Sequence, residues 1–276
     1  MKNLLLFFCF LSFSLSAQNV NLMTFNIRYD TDRDGENKWA NRKDHAAQML
    51  TFYDVDICGM QEALIGQIKD LEQRLPNYAY FGKGRDDGQE KGEFSPIFYN
   101  TKTLKLLQSD TFWLSETPEK PSKGWDAAFP RVVTWGLFED LNSKVRFYVF
   151  NTHFDHMGQI ARKQSAKLLL AKSKEIAKDQ VYFLMGDFNS IPSDEPMVLI
   201  KNELKNTEEI STSGHFGPES TFSGFESREQ KNKKIDHIFC NNKKIIIKKH
   251  ATLSNTWAGL FASDHHPVMV SVELKK

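Results

Sequence analysis

Eight side chains with acid, amide or imidazole groups stand at or just past the ends of apolar runs: Asn26, Glu62, His153, Asp187, Asn189, Asp236, Asp264 and His265. The clearest is Val181–Met185, a buried-strand run closed by Gly186 and followed by Asp187-Phe188-Asn189. A carboxylate and an amide just beyond a buried strand are costly as packing. Such strand ends are where α/β proteins commonly place chemistry. Alone, the triplet reads equally well as an Asx-turn capping the strand. Its recurrence at other strand ends favours chemistry. The hard oxygens of Asn26, Glu62 and Asp264 suit Mg²⁺, or Mn²⁺ or Ca²⁺. Such an ion neutralises a phosphoryl oxygen and its developing charge. A carboxylate can orient or deprotonate water, and histidines can donate to phosphate oxygens or a leaving group. No serine elbow, reactive-cysteine setting or glycine-rich phosphate cradle is present, so the pattern does not suggest covalent catalysis.

The elements that must position these groups follow from the apolar periodicity. Asn19 to Ile27 alternates as a strand with a polar exit. The segment 29–43, with Trp39, reads as a surface loop. Asn41 is placed to cap a helix over 42–53. Val55 to Met60 is a second buried strand ending at Gln61 and Glu62. A helix over 64–75 is stopped by Pro76, and 78–81 is a short strand. The Gly- and charge-rich segment 82–92 reads as a mobile loop. Segments 93–99 and 104–114 read as paired strands joined at Asn100-Thr101-Lys102. The loop 115–130, with its three prolines, Trp125 and Phe129, is either pinned to the surface by its aromatics or a cleft wall. A hairpin over 131–139 and 144–152 ends at His153. The longest helix is 158–178, and Ser193 or Asp194 caps a further one reaching 204. Polar sequence over 205–233 precedes strands at 234–240, 245–253 and 268–274. Many strands with three or four helices predict two packed sheets flanked by helices.

Residues 1–17 carry Lys2, an apolar run from Leu4 to Leu15 and a small-residue end, Ser14-Leu15-Ser16-Ala17. They read as a secretory signal peptide cleaved before Gln18, leaving 18–276 as one catalytic-size domain. The alternative is an uncleaved anchor, for which the run is short. Export to a periplasm or the exterior is therefore expected, with no stable membrane insertion after cleavage and a monomeric mature chain. Removing Lys2 takes Lys+Arg from 36 to 35, against 35 Asp+Glu, so the mature formal charge is zero. Such a chain has no overall basic excess for a polyanion. Cys58 and Cys240 lie in apolar runs and read as buried thiols.

Six short pieces occur in order over nearly the whole mature chain: Thr24-Phe25-Asn26-Ile27-Arg28, Gly59-Met60-Gln61-Glu62, Asn151-Thr152-His153-Phe154, Gly186-Asp187-Phe188-Asn189, Ile235-Asp236-His237 and Ser263-Asp264-His265. In this the sequence resembles the endonuclease/exonuclease/phosphatase superfamily of deoxyribonuclease I-like, metal-dependent phosphoesterases. The resemblance implies an α/β fold: a four-layer α/β sandwich of two central mixed β-sheets flanked by helices, with the site at one edge. It implies that Glu62 binds the divalent metal with Asn26 beside it, and that Asp264 joins the metal or the leaving-group side. Asp187 would align or activate water, and Asn189 would hold the scissile phosphate. His153 and His265 would contact phosphate, with Asp236 orienting His265. Glu93 matches an acidic partner of the first histidine, and Arg131 a phosphate-contacting arginine. His156, His237 and His266 read as structural, and Tyr29, Trp39 and Trp125 as packing.

The leading expectation is an exported, Mg²⁺-dependent (or Mn²⁺- or Ca²⁺-dependent) hydrolase of phosphoester bonds, a phosphodiesterase or phosphatase, with a small phosphodiester or phosphomonoester fitting the neutral mature charge best. A secreted nuclease is the alternative. It would need a basic path, from Lys83, Arg85, Lys91, Lys120, Lys123 and Arg131, with stacking by Trp125 or Phe129. A non-catalytic binding protein on the same scaffold would have a broken metal or base position, and Glu62, Asp187 and His265 are all present. A toxin subunit would need a partner-binding extension, and none is visible.

Overall fold

The computed structural model describes residues 19–241 and 244–275. The expected signal peptide lies outside them. In chain order the first half contains β1 (Asn19–Asn26), α1 (Trp39–Phe52), β2 (Ile57–Gln61), α2 (Ile65–Arg74), β3 (Tyr78–Phe81), β4 (Ile97–Asn100), β5 (Leu104–Trp113) and β6 (Val132–Asp140). There follow β7 (Arg146–His153), α3 (Gln159–Ala177), β8 (Val181–Asp187), α4 (Glu195–Glu203), β9 (Lys205–Asn206), β10 (His215–Phe216) and β11 (Asp236–Cys240). The last are β12 (Ile245–Thr252), β13 (Thr256–Trp257), β14 (Leu260–Phe261) and β15 (Val268–Leu274).

Two mixed sheets form, in the orders β10-β12-β15-β1-β2-β4-β3 and β5-β6-β7-β8-β11-β9. Their inner faces share a core that includes Leu22, Ile57, Val149, Phe183, Met185 and Val270. On the outer face of the first sheet, Met49 and Leu50 of α1 and Ile68 and Leu71 of α2 pack on Met23, Phe25 and Met60. On the second, Leu169 of α3 and Met197 and Ile200 of α4 pack on Tyr182, Leu184 and Phe239. This is the expected four-layer sandwich. It also explains why β8 is apolar from Val181 to Met185: alternate residues face different cores, and both are buried.

Near one edge the two sheets are joined by polar side chains. Asn151 of β7 donates to the carbonyls of Met60 and Pro96, at 2.7 and 2.9 Å, and accepts from Gln61 at 2.7 Å. Gly59 permits this approach, because a Cβ there would lie 2.6 Å from the Asn151 side chain.

Three local expectations are corrected. Segments 97–100 and 104–113 do not pair with each other. β4 pairs with β2 and β3, whereas β5 pairs with β6 in the opposite sheet. The chain steps between layers here, with Asn100 N and the Thr103 hydroxyl both bonded to Asp56, so that Ile97 and Leu104 enter the same core from opposite sides. Helix α1 starts at Trp39, with Lys38 rather than Asn41 in the N-cap position. Trp39 is buried, and its indole donates to Asp70 of α2, so packing rather than cap chemistry sets the helix start. Segment 82–92 is tied down: the Trp113 indole donates to Arg85 O at 2.7 Å, and Asp87 accepts from Gln89 N and Lys91 N. Cys58 and Cys240 are buried and not disulfide-bonded. Among the described residues no helix is long and apolar enough to cross a membrane.

Candidate active site

The register of the sheets brings the predicted residues together. In the second sheet His153 lies opposite Asp187, and Asp187 opposite Asp236, so β7, β8 and β11 present three ionisable groups in a row. From the first sheet, Asn26 ends β1 beside Gln61 of β2, and Glu62 follows at once. Asp264 and His265 precede β15, which pairs with β1. Arg28, Glu62 and Asn189 all have positive φ, at 56°, 59° and 46°. Non-glycine residues rarely adopt this conformation, and at these three positions it turns the chain just past the ends of β1, β2 and β8.

Asp187 is the hub. Its Oδ1 accepts from Asn189 N at 2.9 Å, and its Oδ2 accepts from Asn26 Nδ2 at 2.9 Å. The same Oδ2 lies 3.4 Å from His153 Nε2 and 3.8 Å from His265 Nε2. Burial, and then the charge of Asp236, raise the Asp187 pKa to about 7. His265 Nδ1 is 2.9 Å from Asp236 Oδ2. Burial opposes protonation of this imidazole, but Asp236 outweighs it and the pKa rises to about 10. His153 goes the other way: burial, then Arg131 and Arg85, hold it well below the usual histidine value. Asn189 Nδ2 is 3.0 Å from His153 Nε2. One imidazole is thus held charged and the other neutral, on opposite sides of one carboxylate.

Asn26 also links this hub to the next group, donating to Glu62 Oε1 at 3.2 Å. Glu62 Oε2 accepts from Tyr29 N at 3.2 Å. Arg28 sits between Glu62 and Asp264, 3.9 Å from one carboxylate and 3.8 Å from the other, and is held by a bidentate pair with Asp34 at 3.0 Å. Burial raises the Asp264 pKa, with Glu62 adding to the rise. Buried Asp264, half-buried Glu62 and the Asn26 amide offer hard oxygens that fit a Mg²⁺-type ion, with Arg28 at hand to share the balance of their charge. Asp187, Asp236 and His265 also lie close enough to share an ion. In that group, however, the imidazolium already balances the carboxylates. A second acid-histidine group, Glu208, His215 and Glu219, has its cation in place, since Lys234 Nζ bonds Glu208 at 2.6 Å and Glu219 at 3.0 Å.

Glu62, His153, Asp187, Asn189, Asp264 and His265 line a cavity of about 710 Å³, with Asn26 and Asp236 bonded behind them. Its other wall holds Arg131, whose Nε donates to Asp155 at 3.2 Å and whose Nη2 is 3.0 Å from His156 Nδ1. Asp155 itself is fixed: burial works against its charge, but the N–H groups of Gly158 and Ala128 and the charge of Arg131 bring its pKa to about 2. Glu93 lines the cavity but does not bond the first histidine. It pairs with Arg85 at 2.6 Å, and His153 Nδ1 is buried without a partner. Of the basic residues considered for a strand path, Arg85 and Arg131 reach the cavity, and Lys83 is paired with Asp110. Phe129 lines the cavity and Trp125 does not. Sequence reasoning missed Arg28, Lys233 and Phe222 as lining residues and treated His156 and Tyr29 as structural. Arg28 stood within a quoted motif, and only the fold brings the others near.

Behind the site Arg42 holds the strand ends in place. It is 1% exposed, and it donates to the carbonyls of Ile27 and Ala262 at 2.8 Å, of Arg28 at 3.3 Å, and of Asn37. Burial lowers its pKa to about 10, so it stays charged at neutral pH. Replacing it with Met leaves these carbonyls unpaired and is expected to cost about 3 kcal/mol. Guanidinium denaturation measures this, and a loss below about 1 kcal/mol would show that the carbonyls find other donors.

The sequence profile of the endonuclease/exonuclease/phosphatase family matches residues 23–265, and the chain belongs to that family. The activities in the family's name all hydrolyse phosphoesters. An endonuclease/exonuclease/phosphatase from Bacteroides vulgatus has a crystal structure 37% identical in sequence, covering 94% of this chain and 100% of that one, with a TM-score of 0.89. A mannosyl-6-phosphatase from Bacteroides thetaiotaomicron is 36% identical, covering 92% of this chain and 99% of that one, with a TM-score of 0.87. Protein L388 of Acanthamoeba polyphaga mimivirus is 32% identical over 160 residues, which are 55% of this chain and 60% of L388. The chain spans 60% and 40% of its two mimiviral relatives, L388 and R895.

Proposed function

We propose that this chain is an exported, divalent-metal-dependent phosphoesterase acting on phosphorylated small molecules, with water activated at Asp187. The observation that carries the reading is the Asp187 hub, buried and held by Asn26 and Asn189, with His153 and His265 on either side. Asn26, Glu62 and Asp264 would hold the metal, which when bound neutralises phosphoryl charge. Water attacks phosphorus and passes a proton to Asp187, whose pKa of about 7 suits a base at neutral pH. Asn189 and His153 face the non-bridging oxygens. The bond from phosphorus to the ester oxygen breaks, and His265, kept protonated by Asp236, donates to the departing oxygen. A small substrate is supported by the 36%-identical mannosyl-6-phosphatase and by the zero mature charge. The export reading rests on residues 1–17.

The test is turnover by the purified protein on p-nitrophenyl phosphate, sugar phosphates, bis-p-nitrophenyl phosphate, supercoiled DNA and RNA. Chelation is expected to reduce turnover at least about 100-fold, with recovery on adding Mg²⁺ or Mn²⁺. Turnover unaffected by chelator overturns the metal reading. DNA or RNA cleaved in preference to every small substrate overturns the substrate reading.

A further inference from the structure

Beyond His153 the cavity wall contains more positive charge than the chemistry above uses. Arg85 and Arg131 are both more than nine-tenths buried. Together with Glu93 and His153 they bound a small recess of about 10 Å³, so the two guanidinium groups share one small region of the wall. Burial lowers the Arg85 pKa, and Arg131 lowers it further, against the pull of Glu93. Two adjacent buried guanidiniums are unfavourable unless something holds them there. Each is backed by a carboxylate, Arg131 by Asp155 and Arg85 by Glu93. Phe129, 46% exposed, lies with its ring centroid 4.8 Å from the Arg85 guanidinium carbon. Arg85 Nε has no hydrogen-bond partner. Both guanidinium groups line the cavity, and Arg85 bonds Glu93 through Nη1, while its buried Nε lies 3.8 Å from Asp86.

A phosphodiester has two non-bridging oxygens and one charge. A terminal phosphoryl group has three, and its second ionisation falls near about pH 6, so it is mostly a dianion at neutral pH. The chemistry above assigns Asn189 and His153, neither of them charged, to two oxygens, and leaves a second negative charge without a matching cation from these two groups. A third oxygen with a second charge is what an additional, pre-aligned guanidinium recognises best.

We propose that Arg85, working beside Arg131, forms the subsite for the third oxygen of a terminal phosphoryl group and makes the site selective for phosphomonoesters over phosphodiesters. The inference rests on the phosphoesterase reading above. The rival role for Arg85 is structural, as an anchor for segment 82–92, and that role would affect both substrate classes equally.

The experiment compares kcat/KM on p-nitrophenyl phosphate and bis-p-nitrophenyl phosphate, which share a leaving group. The proteins are the parent, Arg85→Gln, the double variant Arg85→Gln/Glu93→Gln and Arg85→Lys. The double variant avoids leaving Glu93 buried and unpaired. Monoester turnover is expected to fall about 100-fold in the first two while diester turnover changes less than about 3-fold, and Arg85→Lys falls between. Lys83→Ala, on the exposed neighbour paired with Asp110, changes neither. Equal losses on both substrates overturn the proposal. Calorimetric binding of inorganic phosphate in the presence of Mg²⁺ needs no turnover. Its affinity is expected to drop about 100-fold in the double variant, and an unchanged affinity overturns the subsite. Phosphate binding that depends on Arg85 in a parent without turnover would keep the subsite and reject the phosphoesterase reading.

Discussion

Replacing Asp187 with Asn is expected to reduce kcat about 10²- to 10⁴-fold, the range for loss of a positioned base, with no fall in the unfolding midpoint. The substitution keeps shape and removes basicity. Oδ1 still accepts from Asn189 N, so the left-handed Asn189 stays in place. Stability should hold because the carboxylate is itself costly. Its pKa is raised to about 7 by burial and by Asp236, so folding favours the neutral form. At pH above the unfolded aspartate value, the ionised group therefore subtracts from stability, and an uncharged amide removes that cost. Against this stands one lost acceptor for Asn26. Sites commonly keep such groups at the expense of stability. Mg²⁺ binding through Glu62 and Asp264 should survive, which calorimetry can read separately from turnover. A variant retaining more than about a tenth of the parent kcat would remove Asp187 from the role of base.

The site was legible in sequence because its residues sit where strands end. A strand buried on both faces has no use for Asp187 or Asp236 as packing, so such residues stand out against an apolar run. Residues that reach the cavity from loops leave no such contrast. Arg85 lies in a charge-rich stretch that reads as solvated loop, and Lys233 in polar sequence. That Glu93 would take Arg85 rather than a histidine is a matter of tertiary proximity. Among the elements, long periodic helices and alternating strands were readable. The step from β4 to β5 was not, because two strand-like runs separated by three residues look the same in one sheet or in two. Trp39 was readable as packing but not as the start of α1, for a related reason: its partner Asp70 is distant in sequence.

Removal of the Asp236 charge tests the division of labour between the two imidazoles, and its size should depend on the leaving group. Asp236 is 2% exposed, with one oxygen on His265 and the other lacking a partner. Its strand end is held by Thr221, whose hydroxyl accepts from both Ile235 N and Asp236 N. Phe222 lies edge-on to His265 at 5.0 Å, so it covers one side of the ring. In this setting burial disfavours the imidazolium, and Asp236 is the main reason it persists. Asp236→Asn leaves burial unopposed by that charge, and His265 then becomes a poor proton donor at neutral pH. For an alkyl phosphate, whose alkoxide leaves badly without a proton, kcat is expected to fall about 10³-fold. For p-nitrophenyl phosphate the phenolate leaves without help, and the loss should be about tenfold or less. Asp187→Asn, by contrast, should reduce both substrates alike, because water must be activated in each case. Steady-state kinetics of the two variants on the two substrates separates these patterns. An equal loss on both substrates for Asp236→Asn would mean that Asp236 acts through the basicity of Asp187, which its charge also raises, or through positioning of phosphate, rather than through protonation of the departing oxygen.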